Sequence, residues 1–279
     1  MSNQYSSSLF NQLLILARKK RCRIAMSVLR PEPEIIESIR LAQKEVDVLV
    51  LGKPVDGVES IAMADETAIG LKMIEMFKKG EINQFVRGQI DDFGLVDNFK
   101  KAFNIPVEVR RDTAGLVLDP KGHEFFIAGA SNPDSQNYVD KRRVTDGVIW
   151  LLDTYFKVKP KVAVMSTCRS GSYGRDPVMS ATYEEAEKLV TELTERGIEA
   201  RNVNIELEQA VAWGANIIVA ARGAIGNQIF RTLYYLCGGK ILCCPTYFPG
   251  QAIYEDDSRN ETDYYPHLIA AAAWANYKL

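Results

Sequence analysis

The sequence of 279 residues contains only two histidines, His123 and His267, and five cysteines without a CxxC pair. Disulfide frameworks and zinc sites draw on closely spaced cysteines and histidines, so we predict neither. The vicinal Cys243-Cys244 lies in a short apolar run and is interpreted as two small buried side chains. No set of converging ligands is visible, and we therefore predict no metal site and no histidine-based catalytic dyad.

Long apolar runs and an excess of one charge are also absent. No stretch approaches the roughly 20 apolar residues that cross a bilayer. An apolar run at residues 9–17 precedes the basic cluster 18–21, which is the reverse of a signal peptide and favours an amphipathic helix. The formal net charge of -2 disfavours nucleic-acid binding. We therefore expect a cytoplasmic protein that binds neither membranes nor nucleic acid.

What the sequence does contain is an alternation of short apolar runs with helical patterns, which predicts an α/β fold with mostly parallel sheets flanked by helices. The predicted strands of this alternation lie at residues 23–29, 46–52, 84–86, 161–165, near 203, and at 216–220 and 240–244. Three β-rich segments lie between them, at 107–111, 115–118 and 124–128. A turn at 119–122 joins the last two into a predicted antiparallel hairpin.

The domain organisation is predicted from the same alternation. Residues 1–22 form an N-terminal helical extension, and residues 23–279 form the α/β region. Ligands of such sheets bind outside the carboxyl ends of the strands. The loops that leave those ends are therefore the places to look for a site.

The loop after the predicted strand at 161–165 combines small residues, hydroxyl groups and two arginines. Small residues let backbone N–H groups approach an anion, and guanidinium groups match phosphate oxygens. The loop lacks the Gly-Lys-Ser/Thr ending of a Walker A motif. We favour phosphate binding over a solvated surface loop because the segment follows a strand end. The candidate residues are Ser166, Arg169, Ser170, Gly171 and Arg175.

Two further loops follow predicted strands. Arg222, Gly226 and Asn227 lie between a strand and a predicted helix that begins near Gly226, where free N–H groups favour anions; an ordinary strand–helix turn explains the same pattern equally well. Arg87 follows the strand at 84–86 and is a further anion-binding candidate. Asp91 and Asp92 in that loop are interpreted as helix caps.

Three landmarks, in this order, make the chain resemble the phosphate acetyltransferase and butyryltransferase family. They are the segment Phe85-Val86-Arg87-Gly88, the Ser/Gly-rich loop within Val162 to Gly174, and the helix start Gly226-Asn227. Residues 121–126 and 166–177 resemble more closely the MtxX branch of methanogenic archaea, also called methanogenesis marker protein four. The resemblance covers roughly residues 21–250.

The resemblance implies a two-lobed fold like that of isocitrate and isopropylmalate dehydrogenases, commonly dimeric, with a ligand in the cleft between the lobes. We expect the two lobes to meet near residues 140–160. The acyltransferases bind coenzyme A and acyl phosphate there, and an aspartate assists the thiol. Counting back from Gly226-Asn227 places Arg222 at that position, and arginine cannot accept a proton at neutral pH. Anion binding is thereby favoured over acyl transfer.

The leading functional hypothesis is an MtxX-like protein of methyl-group metabolism that binds coenzyme A or another phosphorylated ligand, with methyl or acyl group transfer as the reaction if it is an enzyme. The MtxX name further implies methyltransferase components as partners. An active phosphate acyltransferase and a non-catalytic accessory factor of a methyltransferase system are the alternatives. A nicotinamide dehydrogenase is disfavoured, because no Gly-x-Gly-x-x-Gly follows the first strand.

Overall fold

The structure is a computed structural model that describes residues 5, 7–131, 134–248 and 253–277. Contacts within the chain divide it into two compact units. The central unit comprises Met1–Leu9 and Asp112–Leu242, and the terminal unit comprises Phe10–Arg111 and Cys243–Leu279. The predicted division, with residues 1–22 apart and a boundary near 140–160, differs from this one and stays a prediction.

Helices and strands alternate over most of the described chain, as predicted. The helices are α1 (Ser8–Ala17), α2 (Pro33–Ala42), α3 (Glu66–Lys79), α4 (Phe93–Ala102), α5 (Tyr138–Leu151), α6 (Pro177–Glu195), α7 (Leu207–Trp213), α8 (Gly223–Tyr235) and α9 (Tyr265–Asn276). The strands are β1 (Arg23–Val28), β2 (Asp47–Gly52), β3 (Glu59–Ala62), β4 (Gln84–Val86), β5 (Asp112–Leu118), β6 (Glu124–Ala128), β7 (Lys161–Met165), β8 (Glu199–Asn204), β9 (Ile217–Val219), β10 (Lys240–Cys243), β11 (Pro245–Tyr247) and β12 (Ile253–Glu255).

In the central unit the strands follow the order β5-β6-β9-β7-β8, and β10 pairs with β5. β6, β9, β7 and β8 are parallel, whereas β5 and β6 form the predicted antiparallel hairpin. β7 and β9 are buried along nearly their whole length, because a parallel strand covered by helices on both faces has no solvent side. The predicted mostly parallel α/β fold is confirmed.

In the terminal unit the order is β3-β2-β1-β4-β12-β11, parallel except for the antiparallel pair of β11 and β12. Its core includes an aromatic cluster in which Phe99 packs on Phe85, Phe248 and Tyr254. α9 packs against α2, β4 and β12. Nearly every residue of this helix is buried, and its four consecutive alanines allow such close packing.

Three details of the predicted elements are wrong. Residues 107–111 form turns and irregular structure instead of a strand; Val107 is 82% exposed, so it has no core to pack against. The short strands β3, β11 and β12 were not predicted. Asp92 precedes α4 without capping it, because its carboxylate accepts a hydrogen bond from Arg111 at 2.7 Å.

Candidate functional site

The carboxyl ends of β6, β7, β8 and β9 lie along one edge of the central unit's sheet, because these four strands are parallel. Two of the predicted loops leave this edge from neighbouring strands: residues 166–176 follow β7 and residues 220–222 follow β9. Residues 129–131 and 134–137, which lie between β6 and α5 and which we call the loop after β6, are at the same edge, and Asn137 is the N-cap of α5. We call these loops, with the adjoining first turns of α5, α6 and α8, the strand-end edge.

The start of α8 is packed tightly against the loop after β6. A Cβ atom on Gly223 would lie 1.9 Å from the carbonyl oxygen of Ser131, and one on Gly226 would lie 2.3 Å from that of Gly129. The Asn227 Nδ2 group donates to the carbonyl of Ala130 at 2.9 Å. Glycine is therefore required at both helix positions, since any larger residue would push the two segments apart.

α8 begins at Gly223, three residues earlier than predicted, with Arg222 as its N-cap residue. The Gly226 N–H donates to the Arg222 carbonyl within the helix at 3.0 Å. The Gly223 N–H donates to the Asp134 carbonyl at 2.9 Å. Within the part of the chain that the structure describes, the N–H groups of this first turn that lack an acceptor are those of Ala224 and Ile225.

Arg222 forms an ion pair with Glu185 of α6. Its Nη1 lies 2.6 Å from Oε2 of Glu185, and its Nη2 lies 3.3 Å from Oε1. The same Oε2 atom accepts a hydrogen bond from Lys141 of α5, 2.7 Å from Nζ. Three helices thus place two cations around one carboxylate, which we call the Arg222 triad. The triad carries a formal charge of +1 when all three groups are ionised.

The three members of the triad differ in their access to solvent. The Lys141 side chain is fully buried, whereas those of Arg222 and Glu185 are 22% and 16% exposed. Burial lowers the pKa of Lys141, and its contact with Glu185 only partly offsets this. Burial acts to raise the pKa of Glu185, but hydrogen bonds from Arg222 and Lys141 outweigh it and lower that pKa. Glu185 therefore stays ionised.

The loop after β7 is organised by its own hydroxyl groups. Ser166 is buried and donates to the carbonyl of Cys168 at 2.8 Å. The Thr167 N–H donates to the hydroxyl oxygen of Thr182 in α6 at 2.9 Å. Ser170 and Gly171 lie in an exposed 3-10 turn. Ser166 therefore shapes this loop from within, while Ser170 and Gly171 face solvent.

The two arginines of this loop have different surroundings. Arg169 pairs with Glu206, with 3.1 Å from Nε to Oε1, and its side chain is 62% exposed. Arg175 is exposed, and its side chain contacts no partner among the described residues. The structure thus brings Arg222, Gly226 and Asn227 together with the loop after β6, while Arg169 is drawn toward the carboxyl end of β8.

Arg87 lies in the terminal unit and is buried. Its guanidinium donates to the carboxylate of Asp256, to the carbonyl of Asp257, and to the carbonyl of Ile90 at 2.6 Å. Burial disfavours its charge, yet Asp256 and Asp257 raise its pKa overall. Arg87, a predicted anion ligand, is thus already bound to acidic and carbonyl groups of its own unit.

The acidic run 255–257 is largely buried, although three consecutive carboxylates are typical of a solvated loop. Glu255 accepts hydrogen bonds from His267 Nδ1 and from Trp274 Nε1, both at 2.8 Å. The Nε2 atom of His267 lies 3.7 Å from Glu261. The side chains of His267 and Glu255 are fully buried. Cationic partners offset the cost of burying these carboxylates. The pairing cannot be recognised from the sequence, because the partners are far apart in it.

Burial and neighbouring charges shift the pKa values of the acidic and basic side chains around Arg87 and Glu255. It raises the pKa of Asp257 to about 7. Burial also acts to raise the pKa of Asp256, but the guanidinium groups of Arg87 and Arg111 lower it below its usual value. For His267, the adjacent Glu255 and Glu261 outweigh desolvation and raise the pKa well above 6.5. We call the residues Arg87, Glu255, Asp256, Asp257, Glu261 and His267 the buried acid–base cluster.

Sequence reasoning missed Lys141 and Glu185, although one signal was available. Residues 141–143 are three consecutive cations close to the N-terminus of α5, where the helix dipole disfavours positive charge. Such a run indicates that acidic partners lie nearby. Arg143 pairs with the buried Asp112, and Lys141 pairs with Glu185.

Two classes of site are not represented in the described chain. No group of three or more histidine, cysteine, aspartate or glutamate side chains there is placed to hold a metal ion. Helices long and apolar enough to cross a bilayer are likewise not found in the described residues. No disulfide links the cysteines that the structure describes.

Comparison with known proteins places the chain in a family. It is 29% identical to the "Putative methyltransferase mtx subunit X" of Methanosarcina mazei over 92% of this chain and 91% of that protein. An "Uncharacterized methyltransferase" of Methanocaldococcus jannaschii is 30% identical over 59% of this chain and 67% of its own length. The chain belongs to the MtxX family. No family model matches the sequence.

Solved structures similar to this MtxX protein share its fold. A branched-chain phosphotransacylase from Enterococcus faecalis V583 superposes with a TM-score of 0.69 at 16% identity, covering 90% of this chain and 98% of that one. A 4-hydroxythreonine-4-phosphate dehydrogenase from Burkholderia phymatum superposes with a TM-score of 0.54 at 11% identity, covering 93% and 98%. The predicted relation to phosphotransacylase and dehydrogenase-like folds is confirmed.

Proposed function

We propose that this MtxX protein binds a phosphate-bearing small molecule at the strand-end edge of its central unit and serves a methyltransferase system in group transfer, of a methyl or an acyl group. The observation that carries the proposal is the Arg222 triad, which places a net positive charge at the carboxyl ends of parallel strands. Ligands of open α/β sheets bind at such edges. Guanidinium groups bind phosphate oxygens in pairs.

Neighbouring groups supply further donors and positive charge for an anion. The N–H groups of Ala224 and Ile225 in the first turn of α8 follow Arg222 directly. Helix N-termini favour anions because these N–H groups and the helix dipole act together. Arg175 extends from the next loop along the edge as an exposed cation. A phosphate held by Arg222 would therefore meet further donors from its own helix.

The fold, the names of the relatives and the chemistry of Arg222 bear on the class of reaction. Phosphotransacylases share this fold, and the names of the MtxX relatives point to methyl transfer. Arg222 occupies the position that the sequence resemblance assigns to an aspartate in the acyltransferases, and it cannot take a proton from a thiol. We therefore place ligand binding first. A CoA-dependent acyl transferase is the second candidate, and the shared fold is the observation that favours it.

Binding is tested by titration calorimetry and thermal shift with inorganic phosphate, acetyl phosphate and coenzyme A. A ligand present at a hundred times its dissociation constant stabilises the protein by about 2.7 kcal/mol. Arg222→Gln is expected to abolish the response to the ligand that binds. Arg196→Gln is the matched control. Arg196 also pairs with a carboxylate, that of Asp146, but it is the C-cap residue of α6, whereas the first turn of α6 belongs to the strand-end edge.

The alternatives give different results. Conversion of coenzyme A and acetyl phosphate into acetyl-CoA and inorganic phosphate, followed as loss of the free thiol, would establish acyl transfer. A tight complex with a methyltransferase component and no turnover would favour an accessory role. If none of the three phosphorylated probes binds, or if Arg222→Gln binds as well as the wild type, the proposed site is wrong.

A further inference from the structure

The carboxylate of Glu185 occupies Arg222 in the way a ligand phosphate would. Two guanidinium nitrogens face its two oxygens, at 2.6 Å and 3.3 Å. Arginine binds carboxylate and phosphate with the same paired geometry. An external phosphate that uses these nitrogens must therefore take them from Glu185.

Lys141 can keep Glu185 paired during that exchange. Its Nζ contacts the same Oε2 atom of Glu185 at 2.7 Å, and its side chain is fully buried. A fully buried ammonium cannot reach a ligand in solution. It can, however, remain the counter-ion of Glu185 when Arg222 turns away. An unpaired carboxylate in a partly buried position is costly, and Lys141 removes that cost.

We propose that Glu185 is an internal competitor that holds Arg222 in the absence of ligand, and that Lys141 retains Glu185 once a phosphate group has displaced it. This inference rests on the proposed function, because it assumes that Arg222 is the phosphate-binding group. It assigns a positioning role to two residues of α5 and α6 that do not themselves contact the ligand. Such an exchange selects a ligand whose anionic group binds Arg222 more strongly than the Glu185 carboxylate does.

Charge supports this exchange. The triad carries +1 before binding, so the arriving phosphate meets a net attraction although one anion is already present. After the exchange, Glu185 and Lys141 form a neutral pair and Arg222 pairs with the phosphate. Each cation keeps one anionic partner throughout. Removing the Glu185 charge leaves both cations without that partner, and phosphate then binds without having to displace it.

The test uses Glu185→Gln on the full-length protein, with inorganic phosphate as the probe and titration calorimetry as the readout. Gln keeps the side-chain length and one acceptor for Lys141 but loses the charge. We expect inorganic phosphate to bind the variant about tenfold more tightly than the wild type, equivalent to about 1.4 kcal/mol.

Glu192→Gln is the matched control. Glu192 lies on the same helix, has similar exposure and pairs with Arg142 at 2.6 Å, so its replacement changes the net charge equally and leaves Arg222 untouched. Phosphate affinity in this control should match that of the wild type. An equal gain in both variants would mean that only the overall charge matters, and the inference would be overturned.

A second variant covers the case in which Glu185→Gln fails to fold because Lys141 is left charged and buried. The double substitution Lys141→Met with Glu185→Gln removes that charge and should show the same tenfold gain. If both variants bind phosphate no better than the wild type while Arg222→Gln loses binding, the inference fails and the proposed function stands. If no variant and no wild-type protein binds any phosphorylated probe, the proposed function fails with it.

Discussion

The Arg222 triad and the buried acid–base cluster are both groups of cations and carboxylates, but they differ in exposure and in redundancy. Arg222 has one carboxylate partner and is 22% exposed. Arg87 in the cluster is 7% exposed and pairs with both Asp256 and Asp257. The first arrangement leaves a cation that can change partners. The second binds its cation so fully that exchange would expose several uncompensated charges.

A strand-end arginine is therefore not by itself a ligand-binding group. Arg87 and Arg222 both follow parallel strands, β4 and β9. Arg87 donates inward to main-chain carbonyls as well as to carboxylates, whereas the guanidinium of Arg222 has Glu185 and one carbonyl. We infer that Arg87 stabilises the terminal unit, and we assign the exchangeable role to Arg222.

The largest expected effect is that of Arg87→Met. The substitution keeps much of the apolar volume but removes the guanidinium that pairs with Asp256 and Asp257, and leaves Asp256 with only the more distant Arg111 at 3.6 Å. Breaking a buried pair in this way costs roughly 3–5 kcal/mol. Urea unfolding of the variant and of Arg222→Met, in which one partly exposed pair is lost, measures the difference. If both lose the same stability, the distinction drawn between the two groups is wrong.

A smaller loss is expected for Gly223→Ala. The added methyl group would lie 1.9 Å from the Ser131 carbonyl oxygen, and overpacking of this kind costs about 1–3 kcal/mol. Gly171→Ala is the control, since a Cβ atom there has nothing within 4 Å. Thermal unfolding should separate the two variants clearly. An unchanged Gly223→Ala protein would show that the start of α8 does not need its contact with the loop after β6.

The pH dependence of stability distinguishes the buried cluster from the triad. The pKa of Asp257 is raised from 3.8 to about 7, so its proton stabilises the folded state at low pH. That contribution is lost as pH rises from about 4 through 7, at up to about 1.4 kcal/mol per pH unit.

Asp257→Asn should remove this slope, because the amide does not titrate. The remaining charged neighbours are Arg87, Asp256, Glu261 and His267, and the raised pKa of His267 gives a further loss of the same sign above pH 6.5. Urea unfolding at pH 5, 6 and 7 compares the variant with the wild type. Parallel curves for the two proteins would contradict the assigned protonation of Asp257.

The smallest effect is expected for Arg169→Gln. Its pair with Glu206 is on the surface, with the arginine 62% exposed, and such pairs contribute about 0–1 kcal/mol. Stability measured at low and at high salt should be nearly the same for the variant and the wild type. A loss above 1 kcal/mol would mean that the loop after β7 depends on this pair as the cluster depends on Arg87.

Most of the fold was predictable because the strands that build it are continuous apolar runs. β1, β2 and β7 are buried over nearly their full length, and their sequence shows it directly. β3 and β12 have only four and three residues, too few for a period to be read. α8 was placed three residues late, because Gly223 and Gly226 both suit a helix start and only the packing against Ser131 distinguishes them.

The site was predictable in its location and not in its partners. Strand ends marked the loops that carry Arg169 and Arg222. The ionic partner of Arg222 is Glu185, 37 residues away in the sequence and in the middle of α6. In the sequence a glutamate at such a position cannot be distinguished from a solvated one. Similarly, the run 255–257 looks solvated until Arg87, 169 positions distant from Asp256 in the chain, is brought against it.

The discontinuity of the terminal unit has a consequence for biosynthesis. Residues up to Leu242 are enough to supply every strand of the β5-β6-β9-β7-β8 series, whereas β12 and α9 belong to the final segment of the chain. Until that segment leaves the ribosome, β4 pairs with β1 but lacks its second neighbour, β12. Arg87 likewise lacks Asp256 and Asp257. The nascent polypeptide would therefore carry an unfinished sheet, and an internal cation without these carboxylates, until residues 253–257 have been synthesised.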